Sequence, residues 1–154
     1  MRRQVRNQHR IRVPASADTA FMFFTPAGEE LWVDGWRPMY LQPADGTTRE
    51  VMIFTTGEGE DFTIWHLVDF NRVARQSRYI RCTPALRTGL VEVQCLPLHD
   101  ASTEVIVNYE MTALTHAGEA SLSAYEGQAF VDMIEGWSTA IGESLPLLLE
   151  TRIR

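Results

Sequence analysis

Apolar and polar positions alternate with a period of two along most of the chain as far as Leu114, then recur every three or four residues to the end; this predicts a sheet followed by a long helix. The alternating runs are Arg3 to Val13, Met39 to Gln42, Glu50 to Thr56, Asp61 to Phe70, Val73 to Thr83, Thr88 to Leu98 and Thr103 to Leu114, about seven strands. Pro14 ends the first run, and Ser16 or Asp18 can cap a short helix through Phe24. Thr25-Pro26 breaks that helix. A second short helix opens at Pro26 and carries Leu31 and Trp32, after which Gly35 and Pro38 turn the chain toward the sheet. The later separators, such as Gly57-Glu58-Gly59 and Asn71-Arg72, are short enough for hairpins, so the strands should form an antiparallel meander.

The helical stripe is Leu122, Tyr125, Phe130, Met133, Trp137, Ile141, Leu145 and Leu148, and the helix should begin near Gly118 and end near Leu149. Gly127, Gly136 and Gly142 fall inside it, each costing about 0.5–1 kcal/mol against alanine. Either a neighbour approaches closely there or the glycines are tolerated. A meander this wide cannot cover both faces with one helix, so it must curve around the helix with a polar outer face. The last strand fits, with Val105, Val107, Tyr109 and Met111 opposing Glu104, Asn108, Glu110 and Thr112, Ile106 being the exception. Val91, Val93 and Cys95 likewise oppose Glu92 and Gln94. The class is α+β: a curved antiparallel sheet wrapped around a long C-terminal helix, with two short helices after the first strand.

Composition adds limits. The 154 residues fit one domain, 1–154, and 45% hydrophobic with 22% charged residues is ordinary for a globular chain. A net charge of -6 disfavours nucleic acid as a partner. Arg2, Arg3, Arg6, Arg10 and Arg12 alternate with Val5, Ile11 and Val13, the pattern of a solvated strand face. All 14 basic residues are arginine, from which no function follows. No apolar run follows the basic start and none approaches the roughly 20 residues of a membrane span, so no signal peptide or span is expected and a cytoplasmic location is. If Cys82 sits opposite about Thr88, Cys95 lies some 23 Å further along at ~3.3 Å per residue, so two reduced, buried thiols are expected.

Three stretches, in this order and spacing, resemble the SRPBCC superfamily, the START-like or Bet v 1-like helix-grip proteins, and especially its polyketide cyclase/dehydrase-like bacterial members. They are Thr25-Pro26-Ala27-Gly28-Glu29-Glu30-Leu31-Trp32 with Gly35-Trp36-Arg37-Pro38, then Thr63-Ile64-Trp65, and Tyr109-Glu110-Met111-Thr112-Ala113-Leu114 with Gly118-Glu119. The resemblance implies a deep, mostly apolar pocket between the concave sheet face and the helix. Members use it for lipids, sterols, polyketides or plant hormones.

Candidate lining residues are Phe54, Trp65, Tyr79, Arg81, Val107, Tyr109 and Trp137. The Trp65 face of its strand is taken as concave because a large aromatic is costly to expose, although plain core packing explains it equally. Tyrosine and tryptophan are favoured over phenylalanine because a hydroxyl or indole N–H can fix a ligand's polar group. Tyr79 and Arg81 share a face opposite Ile80 and Cys82. The preferred reading makes Arg81 a solvated residue of the convex face; on the concave face it would be a buried cation suited to a carboxylate or enolate. Trp32 and Trp36 would sit near a pocket mouth in the superfamily, but stapling the short helices to the sheet is preferred. The four histidines are scattered and no phosphate loop or nucleophile motif is present, so no metal, cofactor or covalent catalysis is expected.

The leading expectation is a non-catalytic carrier or sensor for a small hydrophobic molecule. A cyclase, dehydratase or aromatase using Tyr79, Arg81 and Tyr109 is the second, and a protein-binding module like the Hsp90-cochaperone branch the third. The sequence leaves a homodimer open.

Overall fold

A computed structural model describes residues 3–154. Strand β1 (Gln4–Val13) leads into α1 (Ala17–Phe23) and α2 (Pro26–Glu29). There follow β2 (Met39–Gln42), β3 (Met52–Thr56), β4 (Thr63–Asn71), β5 (Gln76–Thr83), β6 (Arg87–Pro97) and β7 (Thr103–Ala113). The chain closes with α3 (His116–Ser121), a 3-10 turn over Leu122–Tyr125 and α4 (Gly127–Glu150). The strands form one seven-stranded sheet in the order β1-β7-β6-β5-β4-β3-β2, with antiparallel neighbours throughout. The expected sheet, helix order and C-terminal helix are all present.

Local chemistry accounts for the short helices. Ser16, rather than Asp18, caps α1, its Oγ accepting from the Thr19 N–H at 3.3 Å. Thr25 is buried at the start of α2, accepts from the Gly28 N–H at 3.0 Å and donates to the Met22 carbonyl at 2.7 Å, so one hydroxyl ends α1 and begins α2. Pro26 then occupies the first helical position, where its missing N–H costs nothing.

The long helix is interrupted. A single helix from Gly118 is replaced by α3, the 3-10 turn, an extended Glu126 and only then α4, which opens at Gly127 with φ +50°. Leu122 and Tyr125 remain buried, so the hydrophobic period runs through a break in the backbone, and the left-handed residue at Gly127 is where the pattern and the hydrogen bonding part. The buried stripe of α4 is Phe130, Ile134, Ile141 and Leu148. No neighbour approaches Gly136 or Gly142, which face open space. The close approach falls at Gly118 instead.

Three strands start two or more residues later than the alternation suggests, β3 at Met52 rather than Glu50 among them. Asp61 belongs to a 3-10 turn before β4. Val73 is 89% exposed in the turn before β5, which Arg75 closes with φ 55°.

The outer sheet face divides in two. On β1 and β7 it is charged, with Arg6 paired to Glu110 and Arg10 to Glu104, as the alternating arginines predicted; Arg2 lies outside the described residues. On β2 to β5 it exposes the apolar Met39, Leu41, Val68 and Ile80 alongside Arg78. Cys82 stands opposite Thr88, as expected, and both cysteines are free. Cys95 is in the core, where burial pushes its thiol up to about 12, whereas Cys82 is only half-buried because it shares the outward parity of Ile80. No helix among the described residues is long and apolar enough to cross a membrane.

Candidate functional site

The inner sheet face is best followed in rows across the strands. One row is Phe54, Trp65, Arg81, Gly89, Met111 and Val5, each opposite the next. The adjacent row is Met52, Leu67, Tyr79, Val91, Tyr109 and Asn7. Gly89 lets the Met111 thioether lie over the first row beside Arg81, since a Cβ there would come within 2.2 Å of its sulfur.

Rings form two files over this surface. In one, Tyr125 stacks on Tyr109 at 5.6 Å, Tyr109 meets Trp137 of α4 at 6.2 Å, and Trp137 meets Trp32 at 5.9 Å and Phe24 at 6.3 Å. In the other, Tyr79 abuts Trp65 at 6.1 Å, Trp65 stacks on Phe54 at 5.6 Å, and Trp36 closes on both. These are contact distances for ring pairs, so the rings touch rather than surround an open void. Surface hollows lie elsewhere, the largest described being about 470 Å³ beside Thr48, Arg49 and Arg72. Of the two ring files, only Tyr109 borders one of the described hollows.

Most of the polar tips in the files are already engaged. The Trp65 indole donates to Thr56 Oγ1 at 2.9 Å, Tyr79 to the Phe24 carbonyl at 2.9 Å, Trp32 to the Phe23 carbonyl at 2.7 Å and Trp36 to the Pro26 carbonyl at 3.0 Å. Trp36 and Tyr79 fasten the short helices to the sheet, as expected for Trp36, whereas Trp32 packs against Phe24 and against Trp137 of α4. Trp65 and Tyr79, sought as anchors, offer no spare donor.

Charge collects between the two files. Arg81 points inward, its guanidinium 4.6 Å from the Trp65 ring centre and 5.9 Å from that of Tyr125. Arg87, of the same inward parity on β6, lies 5.1 Å from the same Tyr125 ring. The convex placement preferred for Arg81 is therefore overturned. Register decides it: Arg81 is opposite Trp65, whose face is buried, and the outward place goes to Ile80, 42% exposed. The two cation–ring contacts make the inward arginine tolerable.

From α2, Glu29 faces this cluster. It is half-buried, and burial pushes its carboxyl well above the usual carboxylate range, against the opposing pull of Arg81. The two charges make no ion pair within 4.0 Å, so they face one another across a gap. Burial also raises the phenols of Tyr79 and Tyr109, with Glu29 adding to the first and Arg81 opposing in the second. All stay neutral hydroxyls at physiological pH.

The Glu29 shift has a measurable consequence. With its folded pKa above the unfolded value near 4.5, stability is intact in acid, is lost as pH rises between the two values, and falls no further above the folded one. Glu29→Gln removes that loss. Urea midpoints of variant and wild type should be similar at pH 3.5, with the variant higher at pH 8. A wild-type midpoint equal or higher at pH 8 would mean a solvated carboxyl.

Of the expected residues, Phe54, Trp65, Tyr79, Arg81, Tyr109 and Trp137 come together. Val107 does not: it is fully buried one row beyond Tyr109, opposite Val93 and His9, within the core. Sequence reasoning missed Glu29, Arg87 and Tyr125. Arg87 has a signal, its parity with Gly89, Val91 and Val93, but it precedes the expected strand start at Thr88.

No protein-family model matches this sequence, and no curated protein matches it. Solved structures do. Norcoclaurine synthase from Thalictrum flavum superposes with a TM-score of 0.64 at 13% identity, over 97% of this chain and 89% of that one. A protein from Thermobifida fusca gives 0.66 at 14%, over 90% and 93%. The Zhui aromatase/cyclase from Streptomyces sp. R1128 gives 0.55 at 13%, over 92% and 87%. The fold is the Bet v 1-like, SRPBCC helix grip. At these identities the likeness is one of fold, and this helix-grip protein's chemistry rests on its own residues. The ring files and Arg81 occupy the space between concave sheet and α4, where the sequence resemblance placed a pocket.

Proposed function

We propose that this helix-grip protein binds a small, mostly apolar, ring-bearing molecule between the inner sheet face and α4, as a carrier or sensor without turnover. The observation that carries the reading is the pair of ring files bordering a few uncommitted polar groups, the composition of a selective small-molecule site. The fold neighbours support the binding of ring-bearing molecules: norcoclaurine synthase was solved with dopamine and hydroxybenzaldehyde, and another neighbour is an aromatase/cyclase. Because the rings touch, an occupant must displace them, and the half-buried Trp36 and Trp137 mark the side from which it enters.

The test is thermal unfolding against lipids, sterols and aromatic polyketides. A ligand at ~100 times its dissociation constant stabilises by about 2.7 kcal/mol, a rise of several degrees in Tm. No shift with any class would remove the reading.

One observation favours catalysis as a second reading. Glu29, Arg81 and Tyr109 bear on one region, a carboxyl that burial holds well above the usual carboxylate range beside a cation and a hydroxyl that can steady an enolate. Turnover of a polyketide-type substrate, lost in Glu29→Gln with binding retained, would establish it.

A further inference from the structure

The described arginines that form ion pairs are Arg3, Arg6, Arg10, Arg12, Arg75 and Arg78. Arg81 and Arg87 form none among the described residues, although both are half-buried and both reach the Tyr125 ring. The Nε of each is buried without a hydrogen-bond partner. Arg75 shares that orphaned Nε, but its guanidinium meets Asp18 at 3.1 Å. Two cations converging with no counter-charge within 4.0 Å among the described residues repel one another and leave buried Nε donors unsatisfied, a cost that an anion between them would relieve.

We infer that Arg81 and Arg87 form an oxyanion subsite at the Tyr125 end of the ring files, and that the occupant is an apolar or aromatic acid whose carboxylate or sulfonate seats there. This rests on the proposed occupancy of the interior and names its chemical class. Arg81 lies against the Trp65 and Tyr125 rings and beside the Tyr109 hydroxyl, and Arg87 lies against Tyr125; a guanidinium's forked N–H groups suit paired hydrogen bonds to an oxyanion. The space over Gly89 beside Arg81 is filled by the flexible Met111 thioether, which an entering group must displace. Glu29, across the gap, comes within 4.0 Å of neither arginine and does not fill the place.

The experiment uses two dyes with one ring system, 8-anilinonaphthalene-1-sulfonate and the neutral N-phenyl-1-naphthylamine, followed by dye fluorescence on the full chain. Wild type should bind the sulfonate at least about tenfold more tightly, with a preference that fades as salt is raised. R81Q and R87Q should each weaken the sulfonate about tenfold and leave the neutral dye within about twofold. R78Q, on the outer face and paired to Glu92, should change neither. Arg87 stands at a strand end, so R87Q decides the matter should R81Q fail to fold. Equal affinity for both dyes, or a preference surviving in R87Q, overturns the inference and leaves the apolar pocket standing. Binding of neither dye overturns both.

Discussion

Gly118→Ala is expected to cost more than about 3 kcal/mol, because the new methyl would enter main chain rather than side chain. A Cβ at Gly118 would lie 1.6 Å from the Leu86 carbonyl oxygen and 2.6 Å from its carbon. That carbonyl cannot retreat, since it accepts the Leu114 N–H at 2.8 Å. Nor can α3 move freely: Thr115 Oγ1 accepts from Gly118 N at 3.0 Å while donating to the Ala85 carbonyl at 2.7 Å, which fixes the first turn of α3 on the β5–β6 connection. Urea denaturation measures the loss, and Gly136→Ala is the control. With nothing within 4 Å of its added Cβ, it should gain about 0.5–1 kcal/mol from helix propensity. A loss at Gly118 below about 1 kcal/mol would show that the α3 docking yields.

Phe130→Ala should cost about 3–5 kcal/mol by the same measurement. Phe130 is 1% exposed, and its ring meets Tyr109 edge-on at 5.5 Å. It stands in the first turn of α4, just past an N-terminus that no side chain caps, so its packing substitutes for a cap. Only three other residues of α4 are fully buried. The truncation therefore opens a cavity against Tyr109 and loosens the start of the helix together. A cost under about 1.5 kcal/mol would mean that the helix start is held by something other than this ring.

The sheet was legible because a half-buried strand must alternate, and its turns carry their own punctuation. The Trp65 face was legible for a similar reason, the expense of exposing an indole. The break at Gly127 was hidden because Leu122 and Tyr125 keep the helical spacing although their backbone is a 3-10 turn. Arg81 was hidden by a reversal of the usual economy: Ile80 faces out and the arginine faces in, a choice set by pairing to β4 and by two rings that are distant in sequence. Glu29 and Glu30 look alike in sequence. The geometry of α2 turns one toward Arg81 and the other to a 2.7 Å bond with the Tyr40 hydroxyl, and no periodicity survives in a helix of one turn.

The ring files also give the molecule an optical property. The chain has four tryptophans, and all of them stand in or against these files, Trp32 and Trp137 at 5.9 Å and Trp36 and Trp65 at 5.5 Å. Its ultraviolet emission therefore comes from one locality, with excitation shared between indoles at near-contact range. A molecule lodging among them would alter the colour and intensity of the whole signal, with no distant tryptophan to dilute the change.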